Sequence, residues 1–204
     1  MKQVPLRLAE ATKALCRKKT LENITVSEIA AEAELTRQVF YHYFNDKYEL
    51  ASWIHYADLY QAMKKGTGEE MQYSWRNSTR EWLSLLLENR SFYANAFQSA
   101  SQNEFQRIIK EFFFTCHKGM LELIYKQPAT EEQVFLIHFY CTGAMEKVYD
   151  WISKGAQMPI NTLVDYLEKA MPEAMKALLV PSEDIPFSDM LNDMEKYLYE
   201  QGLL

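Results

Sequence analysis

Apolar residues recur at three- and four-residue spacing along nearly all of the 204 residues, which predicts an all-α chain. A first helix is expected over about residues 5–19. It has Pro5 in the first turn, Leu8, Ala11, Thr12 and Leu15 facing inward, and Lys18 and Lys19 at the end where cations complement the helix dipole. Residues 25–50 then read as two short helices across a tight turn, followed by a longer one. Thr25 and Glu28 have capping-box spacing, and Ile29, Ala30 and Ala33 set small apolar groups on one face. Glu34 and Leu35 make the turn. Thr36 is a good N-cap for the next helix, in which Val39, Phe40, Tyr43 and Phe44 share one arc and face the core. The opposite arc carries Arg37, Gln38, Tyr41 and His42.

Asp46 and Glu49 repeat the capping-box spacing at the start of a helix running from Lys47 to about Lys65, after which Gly66 and Gly68 break the chain. Further helices are expected at about residues 73–87, 92–99, 104–125, 131–153 and 161–179, with Pro128, Gly155, Pro159 and Pro181 as punctuation. Beyond Pro181, the residues Phe187, Met190, Leu191, Met194, Tyr197 and Leu198 form an amphipathic stripe, so an added C-terminal helix is expected to dock on a dimer or at the mouth of a pocket.

Candidate chemistry concentrates in residues 25–50. A helix with an aromatic inner face and a hydrogen-bonding outer face suits the major groove, where Arg37, Gln38, Tyr41 and His42 can reach base edges or phosphates. Lys47 lies in the first turn of its helix, where the dipole disfavours a cation. A phosphate held by that ammonium and the free N–H groups of the helix start would explain it, so Lys47 reads as a backbone clamp; the alternative is a solvated lysine.

Charge sharpens this picture. The net charge is −6, yet residues 1–50 carry 8 Lys or Arg against 7 Asp or Glu, so the acid lies outside the proposed reading head. Arg7, Lys13, Arg17, Lys18, Lys19, Arg37 and Lys47 are what phosphates would feel within a Debye length of roughly 8 Å. Cys16, Cys116 and Cys141 are too few and too scattered for a zinc pattern or a disulfide framework. His117 and His138 with Cys116 and Cys141 make a poor metal set, because adjacent residues on a helix point about 100° apart. No metal or cofactor is expected. There is no Gly-rich phosphate loop, no Gly-x-Ser-x-Gly and no acid–His pairing at helical spacing, so an enzyme is not expected. The longest apolar stretch, residues 134–141, is far short of a membrane span, and the N-terminus has no signal-peptide run, so the expectation is a cytoplasmic protein without membrane contact.

Residues 25–50 resemble the N-terminal domain of the TetR family of bacterial transcriptional regulators. The resemblance rests on Thr25-Val26, Glu28-Ile29-Ala30, the run Phe40-Tyr41-His42-Tyr43-Phe44, and Lys47 ahead of Glu49. Two positions depart from the pattern: Glu34 stands where the turn usually has Gly, and Val39 where a small residue often precedes the aromatic. The wording of residues 36–50 is also similar to a Firmicutes branch that includes activators of dihydroxyacetone-kinase operons.

The resemblance implies an N-terminal three-helix helix-turn-helix DNA-binding domain (residues 1–47) and a larger helical effector-binding and dimerisation domain (48–180), to which the amphipathic stripe adds the extra C-terminal helix (181–204). Thr25, Thr36, Arg37, Gln38, Tyr41, His42 and Lys47 would meet a double-stranded operator. Trp53, Tyr56, Tyr60, Trp82, Leu86, Phe97, Phe113, His117, His138 and Met145 would enclose a small-molecule effector. Val148, Trp151, Ile152, Leu163, Leu167 and Met171 would form the homodimer interface, which sets two heads on successive groove faces. Control by a small molecule, with repression as the mode, is the expected function. The alternatives are an activator or an interaction protein of this fold that answers to a protein partner.

Overall fold

The computed structural model describes residues 3–65, 74–98 and 102–179, together with single positions at 192 and 196. The expected C-terminal helix therefore lies outside the described residues, as does the Gly66–Gly68 break.

α1 (Gln3–Cys16) buries Leu8, Ala11, Thr12 and Leu15. The Thr12 hydroxyl, fully enclosed, donates to the Leu8 carbonyl at 2.8 Å, so its burial leaves no open hydrogen bond. After a short 3₁₀ turn (Leu21–Asn23), α2 (Val26–Glu32) opens with a complete capping box between Thr25 and Glu28. α3 (Arg37–Tyr43) is N-capped by Thr36, whose side chain accepts from the Val39 N–H at 3.3 Å. Phe40 and Phe44 are buried and pin α3 to the head.

The turn between α2 and α3 has a specific construction. The Leu35 N–H reaches the Ala30 carbonyl at 2.8 Å and the Glu34 N–H reaches the Ala31 carbonyl at 3.0 Å, the bond pair of a Schellman motif. That motif needs a left-handed residue, and Glu34 takes it at φ +53°. For a residue with a Cβ this costs roughly 1–2 kcal/mol. Arg7 of α1 offsets part of it: its guanidinium donates to the Ala33 carbonyl at 2.6 Å and lies 3.6 Å from the Glu34 carboxylate. The missing glycine is thus accommodated by a brace from a neighbouring helix.

α4 (Lys47–Lys65) is followed by α5 (Trp75–Glu88), α6 (Arg90–Gln98), α7 (Gln102–Tyr125), α8 (Glu131–Ser153) and α9 (Ile160–Lys169). One continuous apolar core runs from Leu8 of the head to Leu178. The bounds of α4 and α8 coincide with those read from the sequence. The last helix does not: the expected 161–179 helix stops at Lys169, and a 3₁₀ segment (Glu173–Leu179) follows. Pro172 is the cause, since it has no N–H for the helical ladder and its ring collides with the carbonyl four residues back. The 3₁₀ segment still buries Met175 and Leu178 in the core.

Polar contacts tie head to body. Lys13 of α1 pairs with Asp58 of α4 at 2.6 Å, and the Tyr93 hydroxyl of α6 donates to the other Asp58 oxygen at 3.3 Å. The Asn95 amide of α6 donates to the Cys16 carbonyl at 3.1 Å. On the far side, Arg76 of α5 pairs with Asp165 at 2.6 Å and with Glu168, and Arg80 donates to Asn161 at 3.0 Å, which clamps α9 onto α5.

Candidate nucleic-acid interface, groove and cavity

Arg37, Gln38, Tyr41 and His42 all project from the exposed face of α3. The Arg37 guanidinium lies 5.8 Å from the Tyr41 ring centre, a cation–π contact that pre-orders a flexible side chain on the outer surface. Thr25 and Thr36 are exposed as well, but their hydroxyls are engaged as caps. Thr25 Oγ1 accepts from the Glu28 N–H at 3.2 Å and donates to the Glu28 carboxylate at 2.9 Å. Lys19 hydrogen-bonds the same carboxylate and, with the two Thr25 bonds, holds it down at about 2. Lys19 is therefore a partner of α2, no longer an open cation.

Lys47 differs more sharply from the sequence expectation. Its ammonium donates to the Glu22 carbonyl at 2.6 Å and to the Ile24 carbonyl at 2.8 Å. Two of its three donors are thus committed to the chain's own backbone, at the end of the 3₁₀ turn where carbonyls lack ladder partners. The cation that looked anomalous at a helix start completes the helix end beside it. The start of α4 is capped by Asp46, whose carboxylate accepts from the Tyr48 and Glu49 N–H groups at 2.8 and 2.9 Å, while Glu49 reaches back to the Asn45 N–H at 2.6 Å.

The ten residues assigned to an effector pocket separate into distinct places. Trp82 of α5, Phe113 and His117 of α7, and Met145 of α8 line one small cavity of about 30 Å³, joined by Trp75, Thr79, Tyr140, Cys141, Ala144, Val148 and Leu167. Trp53, Tyr56, Leu86 and Phe97 are ordinary core: Trp53 packs on Phe44 at 5.9 Å between ring centres, Tyr56 on Phe112 at 5.1 Å, and Phe97 on Tyr149 at 4.2 Å. Tyr60 is half-buried against that core. His138 is exposed on α8 and meets the Phe114 ring of α7 edge-on, 5.5 Å between centres.

Within the cavity wall His117 is fixed as a neutral imidazole. Its Nε2 accepts from the Trp75 indole at 3.2 Å and its Nδ1 donates to the Phe113 carbonyl at 2.7 Å; burial lowers its pKa. The Tyr140 hydroxyl donates to the Leu167 carbonyl at 3.0 Å. Trp82 Nε1 is buried and has no hydrogen-bond partner among the described residues.

The residues assigned to a dimer interface are also redistributed. Val148 and Ile152 on the inward stripe of α8, and Met171 just past the end of α9, are buried in the chain's own core. Trp151, Leu163 and Leu167 line an open groove of about 690 Å³ between α8 and α9. The exposed apolar groups sequence reasoning missed are Phe135 and Phe139, 68% and 71% exposed and stacked at 6.3 Å; Tyr166 of α9 is 54% exposed as well. A helical-wheel comparison of α8 with α7 would have marked Phe135 and Phe139 as surplus to one core-facing stripe. Tyr140, Ala144 and Leu167 line both groove and cavity, so a single layer of side chains separates the two.

His55 of α4 was likewise passed over. It is completely buried among Tyr56, Tyr93 and Phe105, neither ring nitrogen has a partner among the described residues, and desolvation pushes its pKa down to about 3. Among the described residues no helix is long and apolar enough to cross a membrane.

Comparison with known proteins agrees with this geometry. A family model described as "Bacterial regulatory proteins, tetR family" matches residues 8–52, and one described as "Transcriptional regulator C-terminal region" matches residues 73–173. The HTH-type dhaKLM operon transcriptional activator DhaS of Lactococcus lactis is 34% identical over 90 residues, which span 44% of this chain and 46% of that relative, less than half its length. Among solved structures, the dihydroxyacetone kinase operon activator DhaS superposes with a TM-score of 0.60 at 22% identity over 87% of this chain and 99% of that one. A tetR-family regulator from Streptomyces coelicolor gives 0.56 at 18% identity, covering 95% and 99%. A helix-turn-helix head whose residues 25–50 carry the motif, joined to a helical body that matches the family's C-terminal region, makes this chain a member of the TetR family of bacterial transcriptional regulators.

Proposed function

We propose that the chain works as a homodimeric repressor, binding a two-fold operator through α3 and releasing it when a small molecule enters the cavity between α5, α7 and α8. The observation that carries the DNA half is the outer face of α3, where Arg37, Gln38, Tyr41 and His42 stand exposed while Phe40 and Phe44 lock the helix from within. Arg37 and Gln38 read bases; Tyr41 and His42 meet phosphates. The division at residues 47 and 180 belongs to the same reading, with the head ending where α4 begins.

A second copy fills the groove between α8 and α9. The Phe135–Phe139 stack and Tyr166 supply the apolar surface. The rim is self-complementary in charge, with Asp150 between Lys147 and Lys154, so an antiparallel copy of α8 would meet opposite signs. Ligand control follows from the shared wall. A molecule that widens the cavity pushes Tyr140, Ala144 and Leu167 into the groove, and a shifted dimer changes the spacing of heads that must stay about 34–36 Å apart.

Genomic selection of bound fragments followed by footprinting tests the DNA half: Gln38→Ala and Arg37→Ala should each alter preference at one or two operator positions, and a preference untouched by both would refute the assignment. A second reading, activation in place of repression, is favoured by the 34% identity with an operon activator. Reporter transcription in a deletion strain separates the two by its sign.

A further inference from the structure

The cavity between α5, α7, α8 and α9 has a chemistry that restricts what it can hold. Resting on the reading that this cavity is the effector site, we infer that its ligand is a compact, uncharged, largely apolar molecule presenting one hydrogen-bond acceptor to the indole N–H of Trp82.

Among the described residues the lining contains no Lys, Arg, Asp or Glu. A charged ligand would therefore give up its hydration with nothing opposite to replace it. His117 cannot serve as the counter-ion, because both ring nitrogens are occupied, accepting from Trp75 and donating to Phe113, and its burial favours the neutral form. The Tyr140 hydroxyl proton is likewise engaged with the Leu167 carbonyl. What is left is the Trp82 indole donor and the Thr79 hydroxyl, which can accept as well as donate. Trp82 is 3% exposed, lines the cavity, and its Nε1 lacks a partner among the described residues. A buried donor of this kind is costly until something accepts from it, and a ligand acceptor supplies what the free protein lacks. Most of the remaining wall is apolar, Trp75, Phe113, Met145 and Val148 among it, which favours a flat apolar body.

Size adds a condition. At about 30 Å³ the free cavity holds roughly two waters, so a ligand with a ring must part the walls. Met145 is the flexible member of the lining, and Ala144 and Leu167 form the partition toward the groove. Sugar phosphates and carboxylates are excluded by the same reasoning, since each brings charge that no described lining group can meet, and a polyol brings more hydroxyls than Trp82 and Thr79 can pair.

The test uses three probes of similar shape on the full-length protein: acetophenone, which is neutral with a single acceptor, ethylbenzene, which has none, and benzoate, which is charged. Calorimetric titration should rank acetophenone about tenfold tighter than ethylbenzene, a difference of about 1.4 kcal/mol for one hydrogen bond, and benzoate weakest. Trp82→Phe should abolish the acetophenone advantage while keeping ethylbenzene affinity within about threefold. Should that variant fail to fold, Met145→Ala, which enlarges the cavity and leaves the donor, should tighten both neutral probes and preserve their order. Benzoate as the tightest probe, equal affinity for the two neutral ones, or no binding of any would overturn the assignment. Operator release is measured separately: acetophenone binding with the predicted ranking but unchanged operator affinity supports the ligand class and refutes the control mechanism.

Discussion

Replacing Lys47 by Met separates a phosphate clamp from an internal brace. The substitution keeps the apolar stem and removes the ammonium that donates to the Glu22 and Ile24 carbonyls at 2.6 and 2.8 Å. A hydrogen bond from a charged donor contributes about 1.5–3 kcal/mol when buried. Here one bond is exposed and the other partly buried, and the orphaned carbonyls can turn to water, so about 2 kcal/mol for the pair is the reasoned figure. For a chain of this size that corresponds to a Tm lower by roughly 4–8 °C. The same change loosens the start of α4, on which α3 rests through the Phe44–Trp53 contact at 5.9 Å. Operator affinity should then fall alike for all sequences, because a loosened head is penalised whichever bases it meets. The salt dependence decides between the roles. A lost phosphate contact would flatten the slope of log K against log salt by roughly 0.9 per head, whereas a lost brace leaves the slope unchanged. Thermal unfolding and fluorescence anisotropy across a salt series measure both quantities. An unchanged Tm with a flattened slope would refute the brace and restore the clamp.

Three other outcomes follow from the same geometry. His55 is neutral in the fold with a pKa near 3 against 6.5 when unfolded, so its contribution is complete above pH 6.5 and is lost as pH falls toward 3; by pH 5 the loss is about 2 kcal/mol, and the stability gap between His55→Phe and wild type should shift by that much between pH 7 and 5, whereas parallel curves would sink the assignment. Glu34→Gly relieves the left-handed strain at φ +53° but gives up the Arg7 contact and stiffness of the unfolded chain, so stability should stay within about 1 kcal/mol while operator affinity rises about two- to tenfold at low salt and converges at high salt; equal affinities at low salt would place Glu34 away from DNA. Phe139→Glu should leave each protomer folded, with its helical circular dichroism intact, because the ring is 71% exposed on the protomer, yet shift sedimentation to monomer and make the Tm independent of protein concentration, a cleaner test than changing Trp151 or Leu167, which are also packed in the core; a dimer that persists would show that the groove is not the interface.

Local signals carried the head almost completely. The capping box at Thr25 and Glu28, the Thr36 cap and the Phe40–Phe44 spacing are short-range patterns, and each reappears as the expected bond or buried ring. The bounds of α4 and α8 and the all-helical class were legible for the same reason, since periodicity and caps act within a few residues. What a side chain meets from a distant part of the chain was not legible. Lys47 looked like a clamp because its partners, Glu22 and Ile24, lie more than twenty residues away. Glu34 looked like a defect because Arg7 is on another helix. Aromatic spacing on α4 could not tell core from cavity, and the cavity where α5, α7, α8 and α9 converge is lined by four of the ten residues expected to enclose an effector. Val148 and Ile152 share α8 with Phe135 and Phe139, yet whether an apolar stripe faces its own core or the groove depends on where α7 and α9 pack. Sequence determined the elements and the chemistry on their surfaces, because those follow from neighbours along the chain; the tertiary structure alone decided which of those surfaces were consumed in packing and which remained open to a ligand, a second copy or DNA.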